Sequence, residues 1–141
     1  MPLSIIIDAP IEKVYEVLDT PALNSVWNPV IEKITETSAG SGKCHVDSFM
    51  GTFDTTKTAV PNRSVTLNIT TDSTILQQLK YELEDLSGTQ TRVNATVQLT
   101  AHYSALHKSV GIELLHNLKR YIEYIKTAGA TNATFKKVMK D

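Results

Sequence analysis

Cysteine is nearly absent. The single Cys44 rules out an internal disulfide, and with it the disulfide-stapled class of small secreted domains. Aromatic residues make up only 6% of the chain, and none are interleaved with basic residues in the way that base stacking requires. The net charge is -1, so no field of one sign draws in nucleic acid or an anionic membrane surface. No apolar run approaches the roughly 20 residues that span a bilayer. The N-terminus lacks the basic and apolar regions of a signal peptide. These absences lead to the expectation of a cytoplasmic protein with no nucleic-acid partner and no integral membrane association. His45, His102, His107 and His116 show no spacing, among themselves or with Cys44, that fits a zinc or di-metal site. No metal and no cofactor are therefore expected. Gly40-Ser-Gly42 is a hairpin turn and not a phosphate loop.

What the chain does contain is one long amphipathic helix. From His107 to Lys126 the apolar residues Val110, Leu114, Leu115, Leu118, Tyr121, Ile122 and Ile125 recur at helical spacing. Lys119 and Glu123 can pair on its polar side, one turn apart. Such a stripe needs a partner surface of similar length, because a lone helix cannot bury it.

Upstream the pattern is mostly that of strands. Leu3–Ile7 is a short apolar strand, and Asp8-Ala-Pro10 reads as a helix start with an acidic cap. A helix burying Ile11, Val14, Tyr15 and Leu18 follows and stops at Thr20-Pro21; a second short helix covers Ala22–Trp27. From Val30 the period changes to two. Six strands are predicted: Val30–Ser38, Lys43–Met50, Gly51–Val60, Arg63–Thr71, Ile75–Asp85 and Gln90–Tyr103, with short turns between them. Alternation such as Val93, Ala95, Val97, Leu99, Ala101 and Tyr103 against Arg92, Asn94, Thr96, Gln98, Thr100 and His102 belongs to an antiparallel sheet covered on one face. The first strand of this meander is ambiguous: either Val30, Glu32, Ile34 and Glu36 face inward, or Ile31, Lys33 and Thr35 do. The facing of Asp54 is equally open.

This order resembles the helix-grip fold of the START-like, or SRPBCC, superfamily. Ile5-Ile-Ile-Asp-Ala-Pro-Ile-Glu-Lys-Val14 looks like that superfamily's opening strand running into Ala-Pro-x-x-x-Val, and Leu23–Pro29 looks like its Leu…Trp-x-Pro segment. The resemblance implies an α+β fold in which a curved seven-stranded antiparallel sheet wraps a long C-terminal helix, with two short helices between strands 1 and 2. It covers residues 3–126 and is specific for fold; unrelated activities share this scaffold. Residues 1–127 are expected to form one ligand-binding domain and 128–141 a tail ending in one further helical turn.

With the apolar register inward, the expected cavity lining is Trp27, Val46, Ser48, Met50, Leu67, Tyr81, Leu99, Tyr103, Leu114 and Leu118. Its polar groups would be Ser48 and the hydroxyls of Tyr81 and Tyr103, joined by Asn28 or Thr55. The competing arrangement is an interior that these side chains simply fill. No catalytic residue is assigned. The first functional expectation is a non-enzymatic binder or carrier of a small hydrophobic molecule, lipid-like or polyketide-like. The second, implied by the resemblance, is a cyclase- or dehydratase-like enzyme; it expects Glu32, Glu36 or Asp54 inside the cavity, near Tyr81 or Tyr103. The third is a protein-interaction module with a filled core.

Overall fold

A computed structural model describes residues 3–37, 42–48, 51–71, 75–127 and 129–140, with the side chains of residues 102 and 137–140 excepted. Among the described residues the elements are β1 (Leu3–Ile7), α1 (Ile11–Asp19), a 3-10 turn (Pro21–Leu23), α2 (Asn24–Trp27) and β2 (Ile31–Glu36). There follow β3 (Lys43–Ser48), β4 (Gly51–Val60), β5 (Ser64–Ile69), β6 (Leu76–Leu86) and β7 (Gln90–Leu99). A 3-10 stretch (Ala101–Leu106), α3 (His107–Tyr124) and α4 (Asn132–Lys140) complete the chain. The strands form one antiparallel sheet in the order β1-β7-β6-β5-β4-β3-β2, a meander whose first strand returns to pair with the last.

Strand alternation sets the two faces. Val65 and Leu67 of β5, Leu79 and Tyr81 of β6, and Val93, Ala95, Val97 and Leu99 of β7 are buried on the inner face, as the period of two requires. Two irregularities shift that register. A bulge between Ile31 and Lys33 adds a residue, so Ile31 and Ile34 are both buried while Glu32 and Lys33 stay exposed. Neither simple alternation for β2 therefore holds. A second bulge between Leu76 and Gln78 brings Leu76 and Leu79 to the same side.

α3 buries Leu114, Leu115, Leu118, Tyr121 and Ile122 and lies along β1 and β7. Gly111 permits the close approach: a Cβ there would stand 2.5 Å from Leu3 Cδ1. The expected Lys119–Glu123 pair forms at 2.7 Å, and Lys119 Nζ also donates to Ile6 O at 2.7 Å. Asp8 does not cap α1, whose N-cap is Pro10 without a side-chain bond. It is turned instead toward α3, where its N–H donates to Glu123 Oε2 at 3.0 Å and its carboxylate pairs with Lys126. Burial works against the Glu123 charge, but the Lys119 ammonium and the Asp8 N–H outweigh it and hold the carboxyl below its ordinary pKa.

β7 ends at Leu99, four residues earlier than the alternation suggests, and Tyr103 sits in the 3-10 stretch that leads into α3. The tail is more than a single turn. α4 runs for nine residues and buries Phe135 between Tyr121 and Tyr124, at centroid distances of 5.1 and 5.6 Å. Tyr121 Oη donates to Asn132 Oδ1 at 2.7 Å, which fixes the start of α4 on α3. No helix among the described residues is long and apolar enough to cross a membrane.

Candidate functional site on the inner face of the sheet

α1, the 3-10 turn and α2 lie over the inner face beside α3, and α2 packs on β2. The local chain explains why Trp27 points inward. Asn28 Oδ1 accepts from Val30 N and Ile31 N at 2.9 Å each, and its Nδ2 donates to Asn24 Oδ1 at 3.0 Å. This clasp turns the chain from α2 into β2 and leaves Trp27 pinned beneath it, 2% exposed. Its ring meets Tyr81 edge to face, with centroids 6.3 Å apart and planes at 67°.

Both partners carry a buried polar atom, Trp27 Nε1 and Tyr81 Oη, that has no hydrogen-bond partner. Burial pushes the Tyr81 phenol well above its ordinary pKa, so it is a neutral hydroxyl. Thr55 Oγ1 is likewise buried without an oxygen or nitrogen partner, and the Cys44 thiol beside it is only a weak acceptor. An unmet buried donor or acceptor costs about 1–3 kcal/mol. Asp19 Oδ1 is a fourth such atom, for it accepts no hydrogen bond although the Lys57 ammonium stands 2.8 Å away, and four is an unusual concentration of unmet groups.

A polar group that sequence reasoning missed lies on the same face. Lys57 of β4 pairs with Leu67 of β5 and so shares its inward register. Its Nζ is 2.8 Å from Asp19 Oδ1 and donates to Asp19 O at 3.1 Å, which ties β4 to the last turn of α1. Gly42, at φ +75, brings its carbonyl to Lys57 N at 2.7 Å; a Cβ there would fall 2.8 Å from Lys57 O. Tyr15 also reaches Asp19; burial first, then the Asp19 charge, raises its phenol pKa. For Cys44, burial pushes the thiol up more strongly than the nearby Lys57 ammonium draws it down. The inner register is only half-buried at Lys57, Ala59 and Ile69, where solvent reaches it.

Of the lining residues read from the sequence, Trp27, Val46, Leu67, Tyr81, Leu99, Leu114 and Leu118 are buried. Trp27 and Tyr81 are brought into direct contact. Ser48 is half-buried at the end of β3, where its hydroxyl donates to Gly51 O at 2.7 Å. Tyr103 is half-buried outside the sheet, and Met50 lies outside the described residues. Glu32, Glu36 and Asp54 are all exposed, so the carboxylate expected inside for a cyclase does not come from them. Glu36 does share the Cys44 register, at the rim. Asp54 belongs to the outer face, where it meets His45 Nδ1 at 2.9 Å. A cavity of about 360 Å³ opens at the β3–β4 ladder, lined by Thr37, Lys43, Cys44, Asp54, Thr55, Thr56 and Thr70. No group of metal-binding side chains occurs among the described residues.

Solved structures share this architecture. A START superfamily protein from Mycobacterium smegmatis superposes with a TM-score of 0.75 over 89% of this chain and 97% of its own, at 13% identity. The fold is the START-like helix-grip fold. The same fold is found in the Zhui aromatase/cyclase of a Streptomyces species, with a TM-score of 0.69, 17% identity and coverage of 93% and 98% of the two chains. The di-domain aromatase/cyclase StfQ of the steffimycin biosynthetic pathway matches 89% of this chain over 45% of its own, at 12% identity and a TM-score of 0.73. No family model and no curated protein sequence matches the chain. At these identities the helix-grip likeness is one of fold.

Proposed function

We propose that this helix-grip protein binds a small, mainly apolar molecule on the inner face of its sheet, between β4–β6 and the cover formed by α1 and α2. The observation that carries this reading is the Trp27–Tyr81 contact, in which both polar atoms are sealed from water and unpaired. A structure closed in this way has hydrogen-bonding capacity that a guest would satisfy. The surrounding Leu67, Leu79 and Val46 supply an apolar wall. Because Trp27 occupies the centre, the guest enters by displacing it. The half-exposed strip at Lys57, Ala59 and Ile69 is the opening from which to do so.

Carriage or sequestration fits better than acid–base catalysis. Glu32, Glu36 and Asp54 are exposed, and the carboxylate that approaches the interior, Asp19, is engaged by Lys57. The aromatase/cyclases of the same fold make aromatic polyketides reasonable first probes alongside aliphatic lipids. The test is a thermal-shift titration with aromatic and aliphatic probes. A guest bound only by the folded state at a hundred times its dissociation constant adds about 2.7 kcal/mol. Unchanged melting across all apolar probes overturns the proposal.

A further inference from the structure

A contact outside the inner face bears on access to it. Trp27 is carried by α2, a helix of a single turn. Among the described residues the side-chain hydrogen bonds of α2 stay within residues 21–31. Asn24 Nδ2 donates to Pro21 O at 3.1 Å, Ser25 Oγ donates to Ala22 O at 3.0 Å, and Asn28 Nδ2 donates to Asn24 Oδ1. These bonds shape the turn without fastening it to the rest of the molecule. Packing does the fastening: α2 rests on β2, beside α3, and α4 packs against it from the C-terminal end of the chain. For a guest to displace Trp27, α2 must yield, and α4 stands behind it.

α4 is itself held at few points. Of residues 132–136 only Phe135 is buried, against the rings of Tyr121 and Tyr124. Two phenols of α3 reach its first turn: Tyr121 Oη donates to Asn132 Oδ1 at 2.7 Å, and Tyr124 Oη donates to Thr134 Oγ1 at 2.9 Å. The cap of α4 is its own. Thr134 N donates to Thr131 Oγ1 at 3.1 Å and Thr131 N to Thr134 Oγ1 at 2.9 Å, a reciprocal cap that needs nothing from α3. An element anchored by one ring and two hydrogen bonds opens far more readily than the sheet beneath it. We infer that α4 is a latch: docked on α3 it backs α2 and holds Trp27 in place, and its release lets α2 yield and admits the guest. Weakening the latch enlarges the binding-competent fraction, so association and affinity rise together.

The gate rests on the apolar-binding reading above, so the full chain is tested both without and with a probe. Trp27 is the only tryptophan, and solvent exchange of its indole N–H, followed by NMR in the free protein, reports how often it is uncovered. Phe135→Ala is expected to speed that exchange about ten-fold or more. Tyr124→Phe, which loses one hydroxyl and keeps the ring, speeds it about three-fold. Val93→Ala weakens the core at β7, away from α4, and leaves the exchange unchanged. Methyl laurate and methylnaphthalene are then mixed rapidly with each protein and followed by Trp27 fluorescence. Phe135→Ala is expected to bind whichever probe the native protein binds about ten-fold faster and more tightly. Should Phe135→Ala fail to fold, Tyr124→Phe decides. Indole exchange unmoved by the α4 variants, or equally moved by Val93→Ala, overturns the latch whatever the probes do. Faster exchange with unchanged probe association overturns its role as a gate while the apolar site stands. Binding of neither probe to any variant overturns the apolar reading and the gate together.

Discussion

Trp27 and Tyr81 meet edge to face across the interior, and each brings to that 6.3 Å contact a buried polar atom with nothing to bond. The pair closes the inner face on itself at the cost of two hydrogen bonds. Tyr81→Phe removes one unmet hydroxyl while keeping the ring. In the ligand-free protein it is expected to be neutral or to stabilise by about 1 kcal/mol, measured by the urea midpoint. The same variant weakens binding of any guest that uses the hydroxyl. A Tyr81→Phe protein that is destabilised by more than about 1 kcal/mol would mean that the hydroxyl has a partner.

On the outer face, His45 lies between Asp54 at 2.9 Å and Asp47 at 3.4 Å. The hydrogen bond to Asp54 raises the pKa of the imidazole above its ordinary value. A raised folded-state pKa means the contribution to stability is fully present below the unfolded pKa, about 6.5, and fades as pH climbs through the folded one. Asp54→Asn is expected to lower the His45 midpoint seen in an NMR titration and to flatten that part of the stability profile. A midpoint unmoved by Asp54→Asn refutes the assignment.

Cys44 is 1% exposed and its thiol pKa is pushed up. Both features suppress the thiolate that reacts with alkylating reagents. Labelling with iodoacetamide is expected to track global unfolding, with native protein reacting at least about a hundred-fold more slowly than protein in denaturant. Rapid native labelling would show that the β3–β4 region opens locally.

Phe135 fills the space between Tyr121 and Tyr124 and is 2% exposed. Phe135→Ala is expected to cost about 3 kcal/mol in a denaturant titration. A loss below about 1 kcal/mol would show that α4 is dispensable to the fold.

Strand and helix periodicity carried much of this architecture. The inward set of β5, of β7 and of β6 from Gln78 onward, and the buried stripe of α3, follow from residue order alone, because a single period runs unbroken through each. The departures have local causes. In β2 neither register could be right, since the bulge near Glu32 inserts a residue that no alternation anticipates. Tyr103 continued an apolar rhythm past Leu99, yet the chain had already turned into the 3-10 stretch, where side-chain parity no longer reports a face. Lys57 was invisible for another reason. A lysine in a strand reads as outward, and its partner Asp19 is 38 residues away. One signal was available: an inward Thr55 places the residue two positions on upon the same face.

The seam between β1 and α3 sets the order of assembly. β1 has one strand neighbour, β7, and its backbone is tied to α3 by Lys119 at Ile6 and by Glu123 at Asp8, bonds that join residues 113 and 115 positions apart. During synthesis the opening strand therefore waits, unpaired, while nearly the whole chain emerges from the ribosome. Closure of the sheet is a late, long-range event, and such topologies fold slowly. A pause in translation before α3 would leave a strand of consecutive isoleucines open to the wrong neighbour.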